Sequence, residues 1–239
     1  MRKITGKIYV AGDIHGMPAI LEYNVQNMKN CTVILLGDVG IFRYRDYKKF
    51  LSLDSICKNN CIKILALRGN HDNPEFFNPN TTNEIAIRFR NKFTNIEFID
   101  YSIVDSDYGT IMLYPGAISR DRITRKSYFI GDTSRISLYK GGDWWCNEEY
   151  KYIPAEHVDI ILSHNGPLLE GTYPGSIDYF SKHDETLKED IDNEQKKLYT
   201  ILDLVKPSKW VFGHYHQNME YMIKNTSCRC VDIDNIISL

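Results

Sequence analysis

Five short clusters along the chain carry side chains able to bind a cation or move a proton. They read Gly12-Asp13-Ile14-His15-Gly16, Gly37-Asp38-Val39-Gly40, Arg68-Gly69-Asn70-His71-Asp72, Ser163-His164-Asn165-Gly166-Pro167 and Gly213-His214-Tyr215-His216. Pooled, the ligand candidates are the carboxylates of Asp13 and Asp38, the amide of Asn70, and the imidazoles of His15, His164, His214 and His216. The ring of His71 is left over. Mixed nitrogen and oxygen donors suit Mn²⁺, iron, Zn²⁺ or Ni²⁺, and lack the thiolates of a structural zinc site. One ion would not use so many ligands; two divalent ions sharing a carboxylate would. A lone Gly-Asp turn is usually only a turn, and a lone histidine is more often a satisfied core residue. The weight lies in the joint pattern: five of the seven histidines fall inside these clusters. His157 and His183 do not, and read as surface or packing residues.

Residues this far apart meet only if the fold gathers them, and the segment before each cluster shows how. Ile8–Ala11, Val33–Leu36, Ile62–Leu67, Val158–Leu162 and Trp210–Phe212 are short and mostly apolar, which predicts buried strands. Pro18–Lys29, Tyr44–Cys57 and Asp184–Val205 carry apolar residues at helical spacing. Strand and helix alternate at the N-terminus, so βαβ units and an α/β fold with a largely parallel sheet are expected. In such sheets the carboxyl ends of the strands open on one crevice, where ligands bind. That is where every cluster lies. Residues 1–239 read as a single domain. From about 73 to 157 the pattern turns irregular, with strands near Glu97–Asp100 and Thr110–Tyr114, and reads as an insertion.

Composition narrows the alternatives. The 239 residues are 43% hydrophobic and 25% charged with a formal net charge of −2, so no global field favours nucleic acid or a membrane surface. The apolar run after MRKITGK is too short for a signal-peptide core. No stretch approaches the roughly 18 apolar residues of a membrane span. The six cysteines form no C-x-x-C pair and suit a reducing compartment. A cytoplasmic location is the expectation.

The ordered motifs GD-x-H-G, GD-x-G, GNHD, HNGP and GH-x-H, from Val10 to His216, resemble the calcineurin-like metallophosphoesterase superfamily. The resemblance implies a four-layer α/β/β/α sandwich of two mixed sheets flanked by helices. It implies two divalent ions, Mn²⁺ first among the choices. Carried over motif by motif, Asp13, His15, Asp38 and His216 would hold one ion; Asn70, His164 and His214 would hold the other, with Asp38 as the bridge. His71 would stand beside the scissile phosphate as general acid while a metal-bridging hydroxide attacks phosphorus. The substrate would be a phosphorylated small molecule or nucleotide, as monoester or diester. A Ser/Thr protein phosphatase and a nucleotide-polyphosphate hydrolase stay open within the superfamily, and a metal-binding interaction module stays open outside it.

The chain departs from that pattern at the second motif. Protein phosphatases read GD-x-x-D-R there, where the later Asp orients the catalytic histidine and the Arg clamps a monoester. Here those places are Ile41 and Phe42, with Arg43 one residue late. Asp72 and Asp46 are candidates to support His71, and Arg43 is a candidate phosphate contact. Less fixed positive charge predicts hydrolysis of phosphodiesters alongside monoesters. Arg68 reads as a structural donor. In "SRDRITRK", Arg120, Arg122, Arg125 and Lys126 can grip an anion, Arg120 above all, although a solvated loop is the plainer reading. Trp144 and Trp145 can stack on a base or cap the core.

Overall fold

Strands and helices alternate from the first residues, as the apolar runs require. The computed structural model describes residues 2–40, 47–123, 157–170, 172 and 174–239. Its strands are β1 (Arg2–Ile4), β2 (Lys7–Ala11), β3 (Cys31–Leu35), β4 (Ile62–Leu67), β5 (Ile96–Ile99) and β6 (Ser102–Ser106). They continue as β7 (Gly109–Tyr114), β8 (Ile160–Ser163), β9 (Lys209–Phe212), β10 (Met219–Ile223), β11 (Thr226–Cys230) and β12 (Ile236–Ser238). The helices are α1 (Ala19–Val25), α2 (Tyr47–Asn59), α3 (Pro74–Phe77), α4 (Glu84–Arg90), α5 (Ser176–Ser181) and α6 (Leu187–Val205).

Two mixed sheets result. One runs β12-β2-β3-β4-β5, the other β1-β6-β7-β8-β9-β11-β10. In the first, β2 to β5 are parallel and β12 is antiparallel to β2. In the second, β7, β8, β9 and β11 are parallel, β6 runs against β7 but parallel to β1, and β10 runs against β11. Side chains alternate across a strand, so an apolar run covers both faces at once. Ile34 and Leu65 meet Ile111, Leu162 and Val211 between the sheets. Val33, Leu35 and Ile64 point the other way, onto Leu21, Val25, Phe50 and Leu53 of α1 and α2. On the opposite outer face Ile161, Trp210 and Phe212 pack against Leu198, Ile201, Leu202 and Val205 of α6. Helix, sheet, sheet, helix is the four-layer sandwich.

Register brings the strand ends level. Ala11 pairs with Leu35 and Leu35 with Ala66 in one sheet; Tyr114 pairs with Ser163 and Ser163 with Phe212 in the other. All five clusters therefore leave their strands on one edge of the sandwich. So does a sixth segment, the one after β7. The stretch expected as an insertion thus supplies β5, β6 and β7 to the two sheets, and its first part belongs to the scaffold.

Helix ends differ from the periodicity. The sequence pattern carries α1 to Lys29, but Asn27 and Met28 bond back to Asn24 and Val25, three residues away, and the helix closes at Val25. The start of α6 moves from Asp184 to Leu187 because the Asp184 carboxylate is held by Arg122, outside the helix.

Candidate active site

The backbone at the strand ends is strained where the ligand candidates sit. His15, Asp38, His214 and His216 adopt positive φ of 45°, 46°, 69° and 53°. An L-residue in that region costs about 1–2 kcal/mol, which the surrounding structure must outweigh. Close approach explains one glycine between them: a β-carbon at Gly69 would overlap the backbone and carboxylate of Asp38. With that contact open, the turns after β3 and β4 touch.

The side chains then converge in two groups, Asp13 with His15 and His216, and Asp13 with Asp38 and His164, each with ligand atoms within 4.8 Å of one another. In the first, His216 Nε2 lies 3.1 Å from Asp13 Oδ2 and 3.0 Å from His15 Nε2. The other Asp13 oxygen accepts the backbone N–H of His214 at 3.1 Å. Burial opposes ionisation of Asp13, yet the imidazoles of His164, His216 and His15 outweigh it and hold the carboxyl below its usual range. An ionised carboxylate is the form that binds a cation. Burial above all, with the Arg120 guanidinium nearby, pushes His214 well below the ordinary histidine range, so its ring is neutral and able to ligate.

The second group has the chemistry to hold a cation. His164 is fully buried, and its Nδ1 faces the Leu36 carbonyl at 2.8 Å, so Nδ1 carries the proton. Its Nε2 then offers a lone pair, and 2.7 Å away stands the amide oxygen of Asn70, another acceptor. Behind it, Asn70 Nδ2 donates to Ser119 Oγ at 2.7 Å, which leaves the amide oxygen turned towards His164. Two acceptors at that distance repel unless a proton or a metal ion lies between them. Asp38 Oδ1, 3.4 Å from the same Nε2, adds a carboxylate to the arrangement. The donor set suits a divalent metal ion.

Around this core the neighbours have separate duties. Asp72, a candidate to hold His71, instead accepts the backbone N–H groups of Val39, Gly40 and Gly69 at 2.8–3.0 Å, locking the two turns together. Burial raises its pKa, and those three N–H groups pull against the rise. His71 donates its own backbone N–H to Asp38 Oδ1 at 2.8 Å, and its Nε2 lies 3.7 Å from Asp38 Oδ2. Arg68 pairs with Asp100 and is structural, as expected. A cleft of about 270 Å³ opens over the cluster, lined by His15, Asp38, Asn70, His71, His214 and His216 together with Arg120, Asp121, Ser176 and Phe180.

All seven expected ligands and His71 therefore meet at one edge. Of the expected basic loop, Arg120 lines the cleft, but Arg122 does not. It is buried, holds Asp184 through two bonds, and reaches Asp190 at 2.7 Å. Removing one member of such a pair strands a buried charge, so Arg122→Met should lower stability by about 3–5 kcal/mol in denaturant unfolding. A loss below about 1 kcal/mol would place that pair with dispensable surface bridges. Arg43, Asp46, Arg125, Lys126, Trp144 and Trp145 lie outside the described residues. Ser119 was not foreseen; it has no metal-ligand chemistry, and only its contact with Asn70 marks it.

The sequence model of the calcineurin-like phosphoesterases matches residues 6–218. The chain belongs to the calcineurin-like phosphoesterase family. This calcineurin-like phosphoesterase is therefore a metal-dependent phosphoester hydrolase, with an Asp/His cluster of the right chemistry at the edge of its sheets. Among solved structures it is similar to the phosphopantetheinyl hydrolase of Mycobacterium tuberculosis, at 12% identity over 95% of this chain and 90% of that one, with a TM-score of 0.46. It is also similar to a protein of unknown function from Aquifex aeolicus, at 13% identity over 97% and 95% of the two chains, with a TM-score of 0.44. A comparison with curated protein sequences finds no match. Among the described residues no helix is long and apolar enough to cross a membrane.

Proposed function

We propose that the cluster holds two divalent metal ions, Mn²⁺ by preference, and hydrolyses phosphomonoesters and phosphodiesters of small molecules or nucleotides by direct attack of water-derived oxygen. One site would be Asp13, His15 and His216; the other Asn70, His164 and His214; Asp38 would be shared. The observation that carries this reading is the opposed acceptor pair, His164 Nε2 and Asn70 Oδ1 at 2.7 Å, beside a separate Asp/His/His group. Both groups within 4.8 Å contain Asp13, which makes it a rival for the shared place. Asp38 is favoured because its Oδ1 faces the unprotonated nitrogen of His164 while its Oδ2 lies 4.0 Å from His15. His164 Nδ1, the atom nearest Asp13, is already committed to Leu36.

Bound there, such ions neutralise phosphate oxygens and lower the pKa of coordinated water. The protein's own residues do the rest. Asp38 supplies the negative charge that lets two cations approach each other. Ser119 keeps the Asn70 oxygen, not its NH₂, turned inward. His71, on the cleft wall, gives a proton to the leaving oxygen.

Two measurements bear on this. Chelator-treated protein should be inactive on an aryl phosphate and recover with added Mn²⁺; tight metal binding with no turnover on any ester would favour a metal-binding interaction module. Ser119→Ala should weaken metal affinity at the Asn70 end by about 10–100-fold in calorimetric titration, as loss of a ligand's supporting bond does. Unchanged affinity at both sites would remove Ser119 from the account.

A further inference from the structure

Among the described residues that line the cleft, Arg120 carries the one permanent positive charge. Arg120 leaves the turn after β7 and lines the cavity with Ser176 and Phe180 of α5. Its position is fixed from three directions. Nη1 donates to Ser176 Oγ at 2.6 Å, Nη2 donates to the His214 carbonyl at 3.3 Å, and the guanidinium lies 5.8 Å over the Tyr215 ring. A guanidinium has five N–H donors, so these bonds leave donors for an oxyanion, in a planar array that suits phosphate. Among the described residues Arg120 has no carboxylate ion pair, in contrast to Arg122 two residues on, whose charge is spent on Asp184 and Asp190. The carbonyl it holds belongs to a candidate ligand, so the guanidinium stands at the edge of the metal cluster and not at the outer rim.

We propose that Arg120, held by Ser176 and the His214 carbonyl, clamps the scissile phosphate, and that the clamp makes small dianionic phosphomonoesters the preferred substrates over diesters. This rests on the hydrolase reading above. The chemistry is one of charge and bond count. A monoester presents three non-bridging oxygens and carries two negative charges near neutral pH. A diester presents two and carries one, so with the ions engaging those oxygens it has less to offer a third cation. The cleft volume of about 270 Å³ sits at the small end of ligand pockets, which suits a compact leaving group. The fixed charge whose usual place after β3 is taken by Phe42 would thus be supplied from the end of β7.

The test uses the full chain loaded with Mn²⁺ and compares kcat/KM for p-nitrophenyl phosphate and bis-p-nitrophenyl phosphate. Arg120→Ala should lower the monoester value about 10–100-fold, the worth of a charge-assisted bond, and the diester value by less. The preference would shift toward the diester while metal stoichiometry holds. Arg120→Lys, which keeps the charge and loses the fork, should fall between. Ser176→Ala should raise KM for the monoester more than it lowers kcat, as a positioning residue would. Inorganic phosphate should bind the metal-loaded Arg120→Ala protein more weakly by a similar factor. Equal loss on both esters with both metals retained, or no loss on either, would overturn the clamp. Absence of turnover by the unmodified enzyme on both esters would overturn the hydrolase reading instead, and phosphate binding would still judge Arg120.

Discussion

Asp38→Asn should reduce metal content from two ions per chain towards one or none, and reduce turnover by about 10³-fold or more. The substitution changes charge and almost nothing else. Asparagine keeps an oxygen to accept the His71 backbone N–H, now held at 2.8 Å, so the turn after β4 should stay in place. What leaves is the negative charge between His164 on one side and His15 on the other. Two cations without a shared anion repel, and the weaker site empties first. Metal ions contribute several kcal/mol of charge stabilisation in phosphoryl transfer, and each 1.4 kcal/mol is a factor of ten in rate. The check is metal analysis by mass spectrometry together with turnover on an aryl phosphate. Two tightly held ions and a near-normal rate in the variant would show that Asp38 is not the bridge, and Asp13, which sits in both groups of ligand atoms, would take its place.

His71→Ala should separate binding from chemistry. His71 lines the cleft and is not among the expected ligands, so the variant should keep both metals. Its rate should fall about 10²–10⁴-fold on an alkyl phosphate, the usual contribution of a positioned acid. On p-nitrophenyl phosphate, whose leaving group departs without a proton, the loss should shrink. A leaving-group series read as log rate against leaving-group pKa checks this, with a steeper slope expected for the variant. Parallel slopes would remove the general-acid role and leave His71 as an electrostatic or structural element. The absence of an Asp at position 41 gives this comparison its edge: Asp72 serves the backbone of Val39, Gly40 and Gly69, and Asp38 Oδ2 lies 3.7 Å from His71 Nε2.

Much of the site could be read from the sequence because each ligand candidate follows directly on an apolar strand. Asp13 comes two residues after Ala11, Asp38 three after Leu35, His164 one after Ser163 and His214 two after Phe212. Short-range order placed them; the level register of β2 to β4 and β7 to β9 joined them. The segment after β7 was harder. Gly116-Ala117-Ile118-Ser119 carries no ligand chemistry, and Ser119 matters only through Asn70, across the turn after β4. Arg120 and Arg122 look alike in sequence. One enters the cleft and the other turns back to hold the N-terminal end of α6, a difference decided by Asp184 and Asp190, more than sixty residues away. Helix ends misled for a related reason: periodicity carries on through residues whose backbone has already turned, as at Asn27 and Met28.

The central claim is a pair of ions sharing one carboxylate, and electron paramagnetic resonance of the Mn²⁺-loaded chain tests it most directly. Ions about 3.5–4 Å apart, the spacing of two-metal hydrolases, are magnetically coupled. The expected result is two Mn²⁺ bound per chain, a coupled multiline signal in place of the six lines of an isolated ion, and loss of that coupling in Asp38→Asn. Full turnover with a single bound Mn²⁺ showing the isolated six-line spectrum would contradict it.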